Sequence, residues 1–123
     1  MVNAESRSYI AASDISAHEK KFVKLTDSKT VELCGANERA VGILEECNKL
    51  TYECKVNVDG FSLLQVGEAC AIGKFLTSTA AGLGEIADAA GEYCRAIAQE
   101  AATAADDIIQ VRLIDVVAHA SDA

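Results

Sequence analysis

The chain has 123 residues, half of them apolar and 24% charged, with 11 Lys and Arg against 19 Asp and Glu for a net charge of −8. This length suits one domain with its own core, and the composition excludes a wholly disordered chain. So acidic a surface repels phosphate backbones and anionic lipid heads, so neither nucleic acid nor a membrane is expected as a partner.

Residues 1–20 are polar and small, with Tyr9, Ile10 and Ile15 as the larger apolar positions. They read as an N-terminal arm outside the core. Arg7, Tyr9 and Ile10 would give such an arm what strand addition to a partner's sheet requires: backbone for hydrogen bonds and alternate side chains for pockets. The segment has neither the basic start nor the apolar stretch of a secretion signal, so the expected site of synthesis and assembly is the cytoplasm.

Ordered structure is expected from residue 21 to 116, with 117–123 as a tail. Phe22-Val23-Lys24-Leu25 can bury both faces of a strand. Asp27-Ser28-Lys29 is turn chemistry, and Thr30-Val31-Glu32-Leu33 reads as the returning strand of a hairpin. Ala40–Leu44 is a further strand candidate. Tyr52, Cys54, Val56 and Val58 alternate cleanly along the next, and Asp59-Gly60 predicts a tight type I′ turn into Phe61–Val66. Ala69–Ile72 and Phe75–Ser78 are short strand candidates separated by glycines.

From 80 to 105 the chain holds half of its 22 alanines, but Gly82, Gly84 and Gly91 confine any helix to Glu85–Ala90, because each Gly costs about 1 kcal/mol against Ala. Small residues let backbones approach closely, which marks Ala81, Gly82, Leu83 and Gly84 as candidates for a subunit interface. Tyr93–Gln99 is read as a strand with Tyr93, Arg95, Ile97 and Gln99 on one side. Ala101–Asp107 then turns the chain into the β-branched run Ile108–Ile114. Strands about every 8–12 residues predict a mainly β fold, a small barrel or sandwich with one short helix at most. Its expected core is Val23, Leu25, Leu33, Val41, Ile43, Val56, Val58, Leu63, Ile97, Ile109, Val111 and Leu113.

Few residues suggest chemistry. The cysteines (Cys34, Cys47, Cys54, Cys70, Cys94) are odd in number with no paired spacing, and read as buried thiols rather than a secreted disulfide framework. Cys47 and Cys54 could meet across a hairpin. His18 and His119 lie in the terminal segments, away from the orienting partners that a catalytic imidazole needs. Gly82-Leu83-Gly84 lacks the third glycine of a dinucleotide fingerprint, and Gly73-Lys74 is followed by Phe75, which excludes a P-loop. Glu45-Glu46 and Asp106-Asp107 read as solvated charge pairs, and Asp59 as a turn residue. No enzyme, cofactor or metal site is expected. Two rivals differ in class. A ligand- or carbohydrate-binding barrel would have only six aromatics to draw on, and an enzyme acting through a thiol would most plausibly use Cys70.

The order of elements resembles the small phage head-decoration, or capsid cement, proteins. The matching stations are Phe22-Val23-Lys24-Leu25, Ala40-Val41-Gly42-Ile43, Val56-Asn57-Val58-Asp59-Gly60, Val66-Gly67-Glu68-Ala69, Arg95-Ala96-Ile97-Ala98 and Ala105-Asp106-Asp107-Ile108-Ile109-Gln110-Val111-Arg112-Leu113. Together they span roughly residues 20–114. Where that family often has Gly between its last two strands, this chain has Asp106. The resemblance implies a β-tulip-like domain that trimerises on the outside of a capsid, clamps major capsid protein subunits, and works mechanically without a cofactor. Another head or tail structural protein would share this composition.

Overall fold

The computed structural model describes residues 4–87 and 91–117. In chain order the strands are β1 (Ala4–Ala11), β2 (Phe22–Leu25), β3 (Thr30–Leu33), β4 (Gly42–Cys47), β5 (Glu53–Gln65), β6 (Phe75–Ser78), β7 (Gly84–Ile86), β8 (Tyr93–Ala98) and β9 (Ile108–Val117). A single 3-10 turn, Ser16–His18, is the one helical element among the described residues. The mainly β fold expected from the sequence is therefore correct.

Strands β1, β3, β2, β4 and β5 form a closed ring, because β5 pairs with β1 as well as with β4. The far half of β5 then leads a second sheet in the order β5, β9, β8, β6, β7. Gly84 of β7 bridges back to Val66, just beyond β5. The β2–β3 hairpin forms as expected, with Asp27 Oδ1 accepting from the backbone N–H groups of Lys29 and Thr30, each at 3.0 Å.

Asp59-Gly60 does not make the expected hairpin. Strand β5 runs straight through it, pairing with β1 and β4 before and with β9 after. Gly60 takes φ +85°, and the register against β1 slips by one residue at Val58 just before the dipeptide, so a bulged corner forms where β5 changes sheets. A tight turn needs the two flanking runs to pair with each other; here each finds a longer partner elsewhere.

The segment read as an arm is, over Ala4–Ala11, a strand of the barrel wall. It pairs antiparallel with β5 from Ala4↔Gly60 to Ile10↔Glu53, and parallel with β3 at Ile10↔Thr30 and Ala11↔Val31. Ala11 and Ile15 are buried. Its small side chains hid this role, because a wall strand can be held by its backbone ladder while contributing little apolar bulk. Two further expectations change. Glu85 and Ile86 of the expected helical stretch belong to strand β7, with 88–90 outside the described residues, and Ala69–Ile72 keeps only an isolated bridge, Cys70↔Ala102. Strand β9 runs on to Val117; the rest of the expected tail, with His119, lies outside the described residues.

Two main clusters fill the molecule. Ala11, Ile15, Val23, Val31, Leu44 and Val56 pack the barrel lumen with Cys47 and Cys54. Phe22, Ile43, Leu64, Leu76, Ile109 and Leu113 belong to the layer between barrel and second sheet. Consecutive residues Phe22-Val23 and Ile43-Leu44 thus face opposite clusters, and β2 and β4 are buried on both sides. Of the expected core, Val23, Ile43, Val56, Ile109, Val111 and Leu113 are buried. Val41, Leu33, Val58, Leu63 and Ile97 are half-buried, and Leu25, at the end of β2, is exposed. Along β8 the inward side is Cys94, Ala96 and Ala98, the reverse of the side rich in larger residues. Only small residues line the buried face of β8.

Candidate functional site

On β1, Arg7 and Ile10 are exposed, while Tyr9 is half-buried against the lumen cluster. The strand uses one edge fully, against β5, but touches β3 only at Ile10 and Ala11. The barrel is therefore closed at its Ala11 end, and the Ala4–Tyr9 edge has no strand partner among the described residues. An unpaired edge is a template for a further strand. Beside it lies an open groove of about 1270 Å³, lined by Ser6–Ile10, Lys29 and the β4–β5 rim from Glu46 to Asn48 and Glu53 to Lys55. Arg7, Lys29 and Lys55 share its lining with Glu19, Glu46 and Glu53, so its charge is balanced in an otherwise acidic protein.

Strand β1 is anchored by a polar cluster. Ser6 Oγ donates to Asn57 Oδ1 (2.8 Å), and Asn57 Nδ2 donates to Glu45 Oε2 (2.8 Å) and Ser62 Oγ (2.9 Å). Lys20 Nζ adds a 2.9 Å ion pair to Glu45 Oε1. Burial pushes the Glu45 carboxyl up, but the hydrogen bonds from Lys20 and Asn57 outweigh it and hold the group below the usual carboxylate range. Asn57, buried, thus has partners on both ends of its amide.

The expected interface residues separate. Ala81 is exposed and Leu83 half-buried, whereas Gly82 and Gly84 are buried within the chain. A Cβ on Gly82, which has φ +77°, would come 2.6 Å from Leu33 Cδ1 and 3.0 Å from the Phe22 carbonyl; one on Gly84 would come 2.7 Å from Leu64 Cδ2. The close approach that these glycines permit is internal, between the 82–84 strip and the barrel wall. The surface they leave to a partner is Ala81 and part of Leu83.

Sequence reasoning missed Arg95. Its guanidinium donates to the carbonyls of Ala40 (3.2 Å), Val41 (2.9 Å), Val58 (2.6 Å) and Ile114 (2.7 Å). From β8 it ties together the entry to β4, the β5 corner and β9. Burial pushes its pKa down while Asp115 and Asp59 pull it up, and an arginine stays charged through such opposition. Arg39, paired with Asp115, covers it on the solvent side. The only signal available in the sequence was a lone cation in the small-residue run Arg95-Ala96-Ile97-Ala98.

Little points to reaction chemistry. Among the described residues no group of three His, Cys, Asp or Glu side chains gathers to hold a metal. His18 lies in the 3-10 turn, its Nδ1 3.1 Å from Lys21 Nζ. Glu45 and Glu46 do not act as a pair: Glu45 is engaged in the polar cluster and Glu46 is exposed. Asp106 has φ +70°, the conformation that glycine adopts most readily, and Asp107 Oδ2 caps the same turn through the N–H groups of Thr103 and Ala104. All five cysteines are buried thiols. No described helix is long and apolar enough to cross a membrane.

No protein-family model matches the sequence, and no curated protein does. Among solved structures the chain is similar to the crystal structure of the head fiber gp8.5 N base of bacteriophage phi29. The TM-score is 0.68 and the identity 15%, over 95% of this chain and 100% of that one. The two share a fold.

Proposed function

We propose that this protein is a structural component of a phage head that decorates the outer surface of the capsid, binding the major capsid protein as a homotrimer. The observation that carries the reading is the fold shared with the phi29 head fiber base over nearly the whole chain. It agrees with a resemblance to head-decoration proteins drawn from different information, the residues of the strands and turns. The role is mechanical. Interface buried between capsid subunits resists internal pressure, and no catalytic step is involved.

In this reading β1 supplies the capsid contact. A strand already held on one side costs less to order than a free arm, whose backbone would lose about 1–2 kcal/mol per residue. Its open edge can accept a strand from the capsid protein, with Ile10 entering a pocket on one face and Arg7, on the same face as Tyr9, a pocket on the other. Ala81 and Leu83 are offered as part of the contact between copies. The fiber-base likeness also favours a second reading, in which the domain anchors an appendage to the head without stabilising it.

The experiment is co-sedimentation of purified protein with expanded capsids that lack it. The expected result is saturable binding, weakened roughly tenfold (about 1.4 kcal/mol) by an Arg7→Ala, Ile10→Ser double substitution that leaves the melting temperature unchanged. Capsids whose resistance to heat rises on binding favour cement; tight binding with no gain in resistance favours the appendage anchor. Absence of binding refutes both.

A further inference from the structure

Cys47 ends β4, Cys54 lies near the start of β5, and the two are direct partners across the ladder. A bulge creates this alignment. Ile43↔Asn57 and Leu44↔Val56 keep one register, while Glu46↔Lys55 and Cys47↔Cys54 keep another, displaced by one. Glu45 is the extra residue; if it paired with Lys55 in the first register, Cys47 would oppose Glu53. The bulge is held by the bonds of Glu45 to Lys20 and Asn57. The neighbouring Asn48 N–H donates to the Glu53 carbonyl at 2.9 Å, so Cys47 and Cys54 fall at a non-hydrogen-bonded position of the ladder. There Cα atoms lie about 4.5 Å apart, inside the roughly 4.4–6.8 Å range that a disulfide spans. Both residues also border the open groove beside β1, which gives a small reagent a path to otherwise buried sulfurs.

We propose that Cys47 and Cys54 are a dithiol site that a small-molecule disulfide converts to a cross-strand disulfide, locking β4 to β5 at the rim of the groove. The Cys47 thiolate attacks one sulfur of the small disulfide, forming a mixed disulfide and releasing one small thiolate, which takes up a proton. Cys54 then gives its proton to solvent and attacks Cys47 Sγ, and the second small thiolate leaves. Two protein thiols lose two electrons, and one small disulfide becomes two thiols. The order follows from the surroundings. Cys47 is the more accessible of the two, 8% exposed against 3%, and burial, then the neighbouring Cys47, pushes the Cys54 thiol up to about 12, so Cys54 is the poorer first nucleophile. Cys34 and Cys70 belong to the layer between the sheets and Cys94 to a small separate cluster, away from this pair. If the proposed head function holds, the lock would close only after particles leave a reducing cytoplasm. The chemistry itself does not rest on that reading.

The test uses the purified full chain, reduced, incubated under native conditions with oxidised glutathione, then alkylated, digested with trypsin and weighed. Cleavage after Lys49 separates the two cysteines, and each of the others falls in a peptide of its own. The expected product is peptide 40–49 joined to peptide 50–55 with loss of two hydrogens. Cys54→Ala should retain glutathione on Cys47, and Cys47→Ala should take it up more slowly, because Cys54 is the less accessible thiol and burial still holds its proton. Both thiols remaining reduced, glutathione resting on both without a link, a link to any other cysteine, or faster uptake by Cys54 than by Cys47 would overturn the proposal. The wild-type digest decides the existence of the link even if a variant folds poorly.

Discussion

The barrel lumen is filled by Ala11, Ile15, Val23, Val31, Leu44 and Val56, whereas the layer between the barrel and the second sheet holds Phe22, Ile43, Leu64, Leu76, Ile109 and Leu113. Strands β2 and β4 serve both, through Phe22-Val23 and Ile43-Leu44. The lumen cluster is the smaller, eight buried residues against fourteen, and its wall is completed by a strand, β1, whose own residues are mostly small and polar. The layer buries more side chains, Phe22 the bulkiest of them, and the half-buried Arg95 ties β8 to the barrel beside it. Apolar burial scales with area, so the layer gains more from packing, and the lumen depends more on an unbroken ladder of backbone bonds. One region is held by what its side chains fill, the other by how its backbone closes.

The heaviest blow to the lumen is loss of β1. Deleting residues 4–11 removes the ladder to β5 and the buried Ala11, and should cost more than about 4 kcal/mol, a large share of the total for a small domain. Urea unfolding followed by circular dichroism measures it. A midpoint that does not move would mean that the segment is the idle arm its composition suggests. In the layer, Phe22→Ala should cost about 3–5 kcal/mol by transfer and cavity terms together, read from the same titration.

Arg95→Met sharpens the comparison, because it keeps much of the apolar stem while removing the guanidinium from four carbonyls. Expected destabilisation is about 2–4 kcal/mol, since the Ala40, Val41, Val58 and Ile114 carbonyls lose a charged donor in a partly buried place. Hydrogen exchange should quicken first in β8 and the end of β9, leaving β1 protected.

Smaller effects follow. Thr77, buried in β6, has a hydroxyl oxygen with no hydrogen-bond partner, so Thr77→Val should stabilise the layer by about 1 kcal/mol in thermal unfolding. On the barrel side, the carboxyl of Glu45 is held below its ordinary 4.5. Its contribution is present above pH 4.5 and disappears as pH falls through the lower folded-state value. Thermal melts from pH 6 to pH 3 should therefore show a slightly flatter acid limb for Glu45→Gln than for the native chain.

The parts of the fold legible in the sequence were those whose apolar period matched their surroundings. The β2–β3 hairpin, β9 and the turn at 101–107 combined turn residues with β-branched runs, while β6 and β8 were legible as strands between turn signals, though for β8 not the face it buries. What escaped reading has physical causes. Asp59-Gly60 has the chemistry of a tight turn, but sequence alone does not show that the two flanking runs find separate partners. Strand β1 lacks apolar bulk because it is held by its backbone. Along β8 the smaller residues, Cys94, Ala96 and Ala98, face the core and the larger ones face away, an inversion that residue size in the sequence does not show. As for the site, Arg7 and Ile10 were readable as exposed candidates, and Gly82 and Gly84 as places of close approach, though within the chain. Arg95 was hidden because its partners are carbonyls from three distant segments. The Cys47–Cys54 pairing needed the Glu45 bulge, which strict alternation does not contain.

The proposed role on the phage head is tested most directly by electron cryomicroscopy of expanded capsids saturated with the purified protein. The account predicts three copies around each local three-fold position on the outer surface, with the Ala4–Tyr9 edge of β1 against the major capsid protein. A bare outer surface, or a single copy at each occupied position, would contradict it.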